Sequence, residues 1–288
     1  MAFLIWGIKV KLHFLFLMVL TAGLLAGFLV EVAAAILALA VHEASHIFVA
    51  RMLGIAVEEL ELLPFGGRMR LKDLYYSTCE EEIMIILAGP MGNLALAAMF
   101  MSLIYQNFIP WETGYLFIKY QLALGLFNLL PALPLDGGRI FMLWLSQMVS
   151  FISAVRIAAR AGKVLAFFLL ALFAATAFKA RYNVSFLVAG IFLFFSAAGE
   201  EKQAPMIFIS HMARKRENLL KRGILPIQAL VTLAGVPVKQ ILYRFNPQNF
   251  YLVYVLDKGW KLKKCLTETE IFDTIIDKGL DIKVEDLL

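Results

Sequence analysis

The sequence predicts a polytopic α-helical membrane protein, with about six transmembrane helices and a small cytosolic α+β tail. Three observations lead there. Hydrophobic residues make up 61% of the 288 residues, and the mean hydropathy is +0.78; soluble domains are only about half apolar. The apolar residues come in runs of about twenty, the length that crosses a bilayer as helix. Beyond residue 200 the hydropathy falls and charges return. A membrane-embedded domain is therefore expected over 1–200, and a separate domain over 201–288.

The expected spans are Leu12–Val30, Val32–Ala50, Ile83–Tyr105, Tyr115–Leu135, Lys163–Phe178 and Val184–Ala198. The start, "MAFLIWGIKVKLHFLFLMVL", has the layout of a signal peptide, with Lys9 and Lys11 before an apolar stretch. It is long and feeds at once into the next run, so it is read as a retained first span. Orientation follows from the basic residues, which favour cytoplasmic loops. Lys9 and Lys11 precede span one. Arg51, Arg68, Arg70 and Lys72 follow span two, and Arg139, Arg156, Arg160 and Lys163 follow span four. The alternate loops hold Glu31, then "QNFIPWETG", then Lys179 and Arg181. Both termini are thus expected in the cytosol. The net charge of +5 suits an anionic cytoplasmic leaflet. No zinc-finger spacing or aromatic–basic motif points to nucleic acid. Cys79 and Cys265 fall in cytosolic segments, where a disulfide is not expected.

Between spans two and three, "VEELELL" and "RMRL" alternate around "PFGG", a hairpin pattern. An edge strand near Leu60–Arg70 could pair with an extended peptide. An ordinary cytoplasmic loop is the plainer reading. In the tail, "FYLVYVLDKGWKLKKCLTETEIFDTIIDKG" reads as strand, turn at Asp257–Gly259, strand and helix. Thr267 and Glu270 have capping-box spacing at the helix start, and Gly279 suits its end. "RKRENLLKR" reads as an interfacial amphipathic helix. His13 is expected to pack at the membrane edge, and His211 to lie solvated among basic residues.

The most informative stretch is "VHEASH", residues 41–46, inside a greasy run. Ionisable groups at membrane depth are costly and mark function. His42 and His46 are four apart, about 40° around one helix face, and so placed they can hold one zinc ion. Glu43 projects beside them, within reach of a water proton. This is the HExxH spacing of metalloproteases. A catalytic zinc wants a third protein ligand and an open position. The best candidate is Asp136 in "FNLLPALPLDGGR". Pro131 and Pro134 cannot sustain helix there, and Gly137 and Gly138 permit a sharp turn. Broken backbone at membrane depth is tolerated where it lines a protein cavity. His46 lies about 7.5 Å from Arg51 along the helix, and Asp136 lies three residues before Arg139, so both reach a similar depth. A third polar element is "LAGPMGNLAL". Pro90 should kink its helix. Asn93 there, and Asn128 in the next span, could steady a substrate backbone or an oxyanion, or join helices.

Taken together, HEASH, AGPMGN and NLLPALPLDGG, in this order on successive spans, resemble the site-2 protease family of intramembrane zinc metalloproteases over roughly residues 5–200. The resemblance implies that His42, His46 and Asp136 are zinc ligands and Glu43 the catalytic acid/base. The prolines and "LLPFGG" are similar to one subgroup, that of the stage IV sporulation protein FB. That likeness implies six spans, a cytosolic CBS-like tail and a sigma-factor precursor of the pro-sigma-K kind as substrate. It also implies membrane inhibitor proteins as partners, and a place in the mother-cell membrane around the forespore. The tail's "TETE" resembles the T-x-x-D nucleotide contact of CBS motifs, with Glu270 in place of Asp; it implies ATP at Thr267 and Glu270. One CBS-like unit is half of the usual pair, so a homo-oligomer is expected. Relatives that cleave anti-sigma factors carry a PDZ insertion where this chain has only "QNFIPWETG".

The expected function is intramembrane peptide-bond hydrolysis. Three rivals were weighed against it. A metal-ion or proton transporter could use the same intramembrane His and Asp, but Glu43 beside them favours hydrolysis. A His-box oxygenase needs many more histidines than the 4 present. A catalytically silent regulator would not need a complete ligand set. A site-2 protease acting on some other membrane-tethered substrate remains an alternative within the same chemistry.

Overall fold

The computed structural model describes the chain except residues 1, 6, 64–65, 72–78, 179–183, 225, 243, 246–248, 279–281 and 288, and describes backbone alone at 2, 5, 71, 209–222 and 276–278. The chain divides into two compact units, Met1–Phe141 with Ala158–Gly199, and Met142–Ile157 with Glu200–Leu288.

The first unit begins in strand. Residues 8–12, "IKVKL", alternate apolar and basic, a period-2 pattern. They form β2 (Ile8–Leu12), antiparallel to β1 (Ala2–Ile5). The expected first span therefore loses its leading end. Helix α1 (Phe14–Leu25) has 12 residues, about 18 Å of helix against a hydrocarbon core of ~30 Å. His13 caps α1, its Nδ1 accepting from the Leu15 N–H at 3.2 Å. Helix α2 (Leu29–Met52) follows. The anticipated hairpin forms as β3 (Val57–Leu63) and β4 (Gly66–Leu71); residues 64–65 at its turn lie outside the described residues. Because β2 pairs in parallel with β3, the sheet order is β1-β2-β3-β4. Only β4 of the hairpin is an edge strand. Ile8, Val57 and Leu60 of the sheet pack with Ala50, Ile55 and Ile85, which seats the sheet on the C-terminal end of α2.

Helix α3 (Cys79–Tyr105) runs through Pro90 as one helix and packs against both α2 and α4 (Trp111–Asn128). The expected fourth span stops at Asn128, and residues 129–135 are not regular helix. Their Ala132 and Leu135 pack against Ala166 and Leu169 of α6 (Phe151–Phe178) and Ala189 and Leu193 of α7 (Val184–Arg222). The Leu133 N–H donates to the Ala158 carbonyl at 3.1 Å. The short helix α5 (Asp136–Ser146) starts at the end of this braced segment. Among the described residues, four helices are long and apolar enough to cross a membrane: α2, α3, α6 and Val184–Phe208 of α7. Helix α4 falls below them because Glu112, Lys119, Gln121 and Asn128 dilute it. The basic stretch "RKRENLLKR" continues α7 as helical backbone, and its side chains, like that of His211, lie outside the described residues.

In the second unit the strand–turn–strand–helix reading holds, as β6 (Phe250–Leu256), β7 (Leu262–Thr267) and α9 (Glu268–Lys278). Gly279, the expected helix end, lies outside the described residues. Two elements precede them that the sequence reading omits: β5 (Ile227–Leu233), parallel to β6, and a short helix, α8 (Val238–Leu242). Val253, Val255, Leu266, Ile271 and Val284 fill the core, with Phe245 stacked on Tyr251 at 4.3 Å between ring centroids.

The capping box is formed. The Thr267 N–H donates to Glu270 Oε2 at 2.7 Å, and the Glu270 N–H to Thr267 Oγ1 at 3.3 Å. The Thr267 N–H, and next its hydroxyl, hold the Glu270 carboxyl below its ordinary value. A carboxyl lowered in this way contributes stability that is full above its ordinary value and is lost as the pH falls through its folded value. Thr267→Ala should cost about 1 kcal/mol at neutral pH. The gap between variant and wild type should narrow on acidification below the carboxylate range, as read by thermal melts of the full chain.

Candidate metal centre

Helix α2 carries His42, Glu43 and His46, all buried, at 2%, 4% and 7% exposure. One turn separates the histidines, and their rings meet edge to face at 4.8 Å between centroids. Asp136, the first residue of α5, reaches both: its Oδ2 lies 3.0 Å from His42 Nε2 and 3.2 Å from His46 Nε2. Among the described residues, these three offer donor atoms that all lie within 4.8 Å of one another.

The outer ring nitrogens settle what the inner ones can do. His42 Nδ1 lies 2.6 Å from Asn93 Oδ1, and His46 Nδ1 lies 2.7 Å from the Ile85 carbonyl. Both partners are oxygens that only accept, so each Nδ1 carries the proton and donates it. In the neutral imidazole each Nε2 then turns a lone pair toward Asp136. Three acceptors facing one point repel unless a proton or a metal cation sits among them. At zinc–ligand bonds of about 2.0–2.1 Å, tetrahedral geometry separates ligand atoms by about 3.3 Å, close to the separations found here. The donor set and its outer hydrogen bonds fit zinc.

The remaining expected residues divide. Asn93 is fully buried, and its amide is committed: besides accepting from His42, its Nδ2 donates to the Ala38 carbonyl at 2.9 Å and to Gln121 Oε1 at 2.5 Å. It orients a histidine and ties α2, α3 and α4 together; steadying substrate would require breaking those bonds. Asn128 donates to the Leu124 carbonyl of its own helix at 3.0 Å. Thr267 and Glu270 belong to the second unit and bond to one another.

Sequence reasoning missed Gln121, Gly67 and Gly89. A Cβ on Gly89 of α3 would fall on the His46 and His42 rings, and one on Gly67 of β4 would fall on the Glu43 carboxylate. Both glycines are therefore close approaches of backbone to the site. Gly89 stands within "AGPMGN" and Gly67 within "PFGG", so the signal was a glycine in each motif. Gln121 could be suspected only as one of the few polar residues of α4.

The family model for peptidase family M50 matches residues 28–110 and 110–172, just over half of the chain. This chain belongs to peptidase family M50. The stage IV sporulation protein FB of Bacillus subtilis is 27% identical over 284 residues, covering 98% of this chain and 96% of that protein. A zinc metalloprotease of Methanocaldococcus jannaschii is 27% identical over 78% of this chain and 63% of its own length. Among solved structures, the site-2 protease from Methanocaldococcus jannaschii matches with a TM-score of 0.59 and 28% identity, over 70% of this chain and 94% of that one. As an M50 member with a His-His-Asp triad among membrane helices, the chain is a metal-dependent peptidase of the site-2 type.

Removing the support of one ligand should weaken the metal. Asn93→Ala should lower zinc affinity by about 10–100-fold. Competition of purified protein against a chromogenic chelator measures this, and wild-type affinity in the variant would refute the orienting role.

Proposed function

We propose that the chain hydrolyses a peptide bond in a membrane-associated regulatory protein, with Glu43 moving the proton. The observation that carries this is the convergence of His42 Nε2, His46 Nε2 and Asp136 Oδ2 on one point, with Glu43 buried one residue from the first ligand. When bound there, zinc supplies Lewis-acid polarisation of water and of the scissile carbonyl. Glu43 accepts the proton from the attacking water and delivers it to the leaving amine. A substrate helix must unwind to expose its peptide bond. Strand β4 supports capture of the unwound segment by strand addition: it is the sheet edge, and its Gly67 lies against Glu43. Asn128 keeps the place near the substrate that the sequence suggests for it.

The nearly full-length likeness to the stage IV sporulation protein FB supports a sigma-factor precursor of the pro-sigma-K kind as the substrate, in the mother-cell membrane during sporulation. It likewise supports inhibitory membrane proteins as partners and self-association of the tail. For ATP at Thr267 and Glu270 the support is the TETE resemblance alone; the cap already accounts for both side chains. Incubating the purified protein with such a precursor should yield one defined cleavage that a zinc chelator stops. Cleavage of a different tethered substrate only would keep the chemistry and change the substrate.

Glu43→Gln should keep zinc and lose cleavage, since the shape stays and the base goes. Gly67→Ala tests the same carboxylate from outside. The added methyl meets the far end of a flexible side chain, so folding and zinc content should hold. Displacing the base by about 1 Å should cost roughly 100-fold in rate. Single-turnover cleavage with parallel metal analysis separates the two effects.

With both termini in the cytosol, as the basic loops imply, a cysteine introduced beside Trp111 should react with an impermeant thiol reagent from the non-cytosolic side. Reaction only from the cytosolic side would invert the orientation.

A further inference from the structure

The tip of the β6–β7 hairpin holds a side chain that its own fold does not explain. Asp257 Oδ1 accepts from the Gly259 N–H at 2.8 Å and the Lys261 N–H at 2.9 Å. The Trp260 N–H donates to the Asp257 carbonyl at 3.1 Å, and the Asp257 N–H to the Lys261 carbonyl at 2.9 Å. The strand ladder shifts register beside this loop, between Val255 and Leu256. A tight loop of this kind places one residue in the left-handed region, where glycine is favoured. Here that residue is Trp260, at φ 63°, while a glycine stands one position earlier at Gly259. A bulky side chain at positive φ is an outlier. The indole is 85% exposed, so packing gives nothing in return.

Its surroundings are basic and partly apolar. Lys258, Lys261 and Lys263 are exposed, and Leu262 is 58% exposed. Lys264 is spent on the fold, donating to the Leu287 carbonyl at 2.8 Å. The one acid of the loop, Asp257, has its Oδ1 held by two backbone N–H groups.

We propose that this tip, residues 258–263, docks on the surface of an anionic lipid bilayer. An indole has an apolar body and one N–H donor, and it settles at headgroup level. Each lysine near an anionic surface strengthens attachment about fivefold. Four helices of the same chain are fit to cross a membrane, so the tail is tethered and meets the bilayer at high effective concentration. Charge complementarity selects lipid over a protein partner. Three flexible point charges around one exposed ring suit a fluid interface better than a shaped one.

The test uses the full chain with Trp6, Trp111 and Trp144 changed to Phe, which leaves Trp260 as the sole indole. The protein is reconstituted into vesicles of phosphatidylcholine alone or mixed with phosphatidylglycerol, each with and without brominated acyl chains. Docking predicts blue-shifted Trp260 emission, quenched by brominated lipid, in the phosphatidylglycerol vesicles. Changing Lys258, Lys261 and Lys263 to Gln should cut the docked-to-free ratio about a hundredfold. Solvent-like, unquenched emission in both vesicles overturns the proposal. Blue-shifted emission that is insensitive both to brominated lipid and to phosphatidylglycerol also overturns it, and assigns the tip to a protein contact. Trp260→Gly provides the structural control: it should melt no lower than wild type, because glycine suits the left-handed position. A lower melting temperature would make Trp260 a structural residue and overturn the proposal.

Discussion

Inside the first unit, two imidazole nitrogens and a carboxylate oxygen face one another at hydrogen-bond distance, where water is scarce and unsatisfied polar groups are expensive. Everything around them constrains which atoms do the facing. The Ile85 carbonyl and Asn93 Oδ1 take the outer protons of the two rings, so both inner nitrogens present lone pairs. Such an arrangement calls for a positive charge among its acceptors, a proton or a metal ion. The polar groups thus form one connected set that runs from Ile85 and Gln121 through the histidines to Asp136. Only Gln121 Nε2 is left without a hydrogen-bond partner among the described buried side-chain atoms, an exception to the rule that buried polar groups are partnered.

Geometry reaches that set by two different means. Regular helix supplies His42 and His46, because a spacing of four repeats a face. Asp136 comes from the opposite condition. Pro131 and Pro134 deny residues 129–135 a helix, and packing of Ala132 and Leu135 against α6 and α7 holds the irregular segment still. Close backbone approach completes the arrangement: Gly89 lets α3 lie against the two rings, and Gly67 lets β4 lie against Glu43. A sheet edge thus lies over the base, beside the three atoms that could hold a metal.

The tail follows soluble rules. Alternating buried positions along β6 meet Leu266 and Ile271 in a small core, and a reciprocal cap starts its last helix. Its hairpin tip departs from those rules, with tryptophan at a glycine's φ and three lysines around it.

Much of the site was legible because its signals are local. The HExxH spacing fixes two ligands and a base on one helix, and a proline pair followed by Asp-Gly-Gly marks broken backbone. Composition determined the membrane class, and period-2 alternation together with Thr267-x-x-Glu270 determined the strand, turn and capped helix of the tail. What the tertiary structure decided is long-range. Lys9 and Lys11 looked like a flank of the first span, yet "IKVKL" becomes a strand held between β1 and β3, the latter some fifty residues later. Strand β5 was missed because its partner β6 is parallel and distant in sequence. Asn93 carries one amide whose use no spacing reveals; its work depends on Gln121 and His42 arriving from two other helices. Local periodicity names which residues can be ligands, but only packing decides which lone pairs meet.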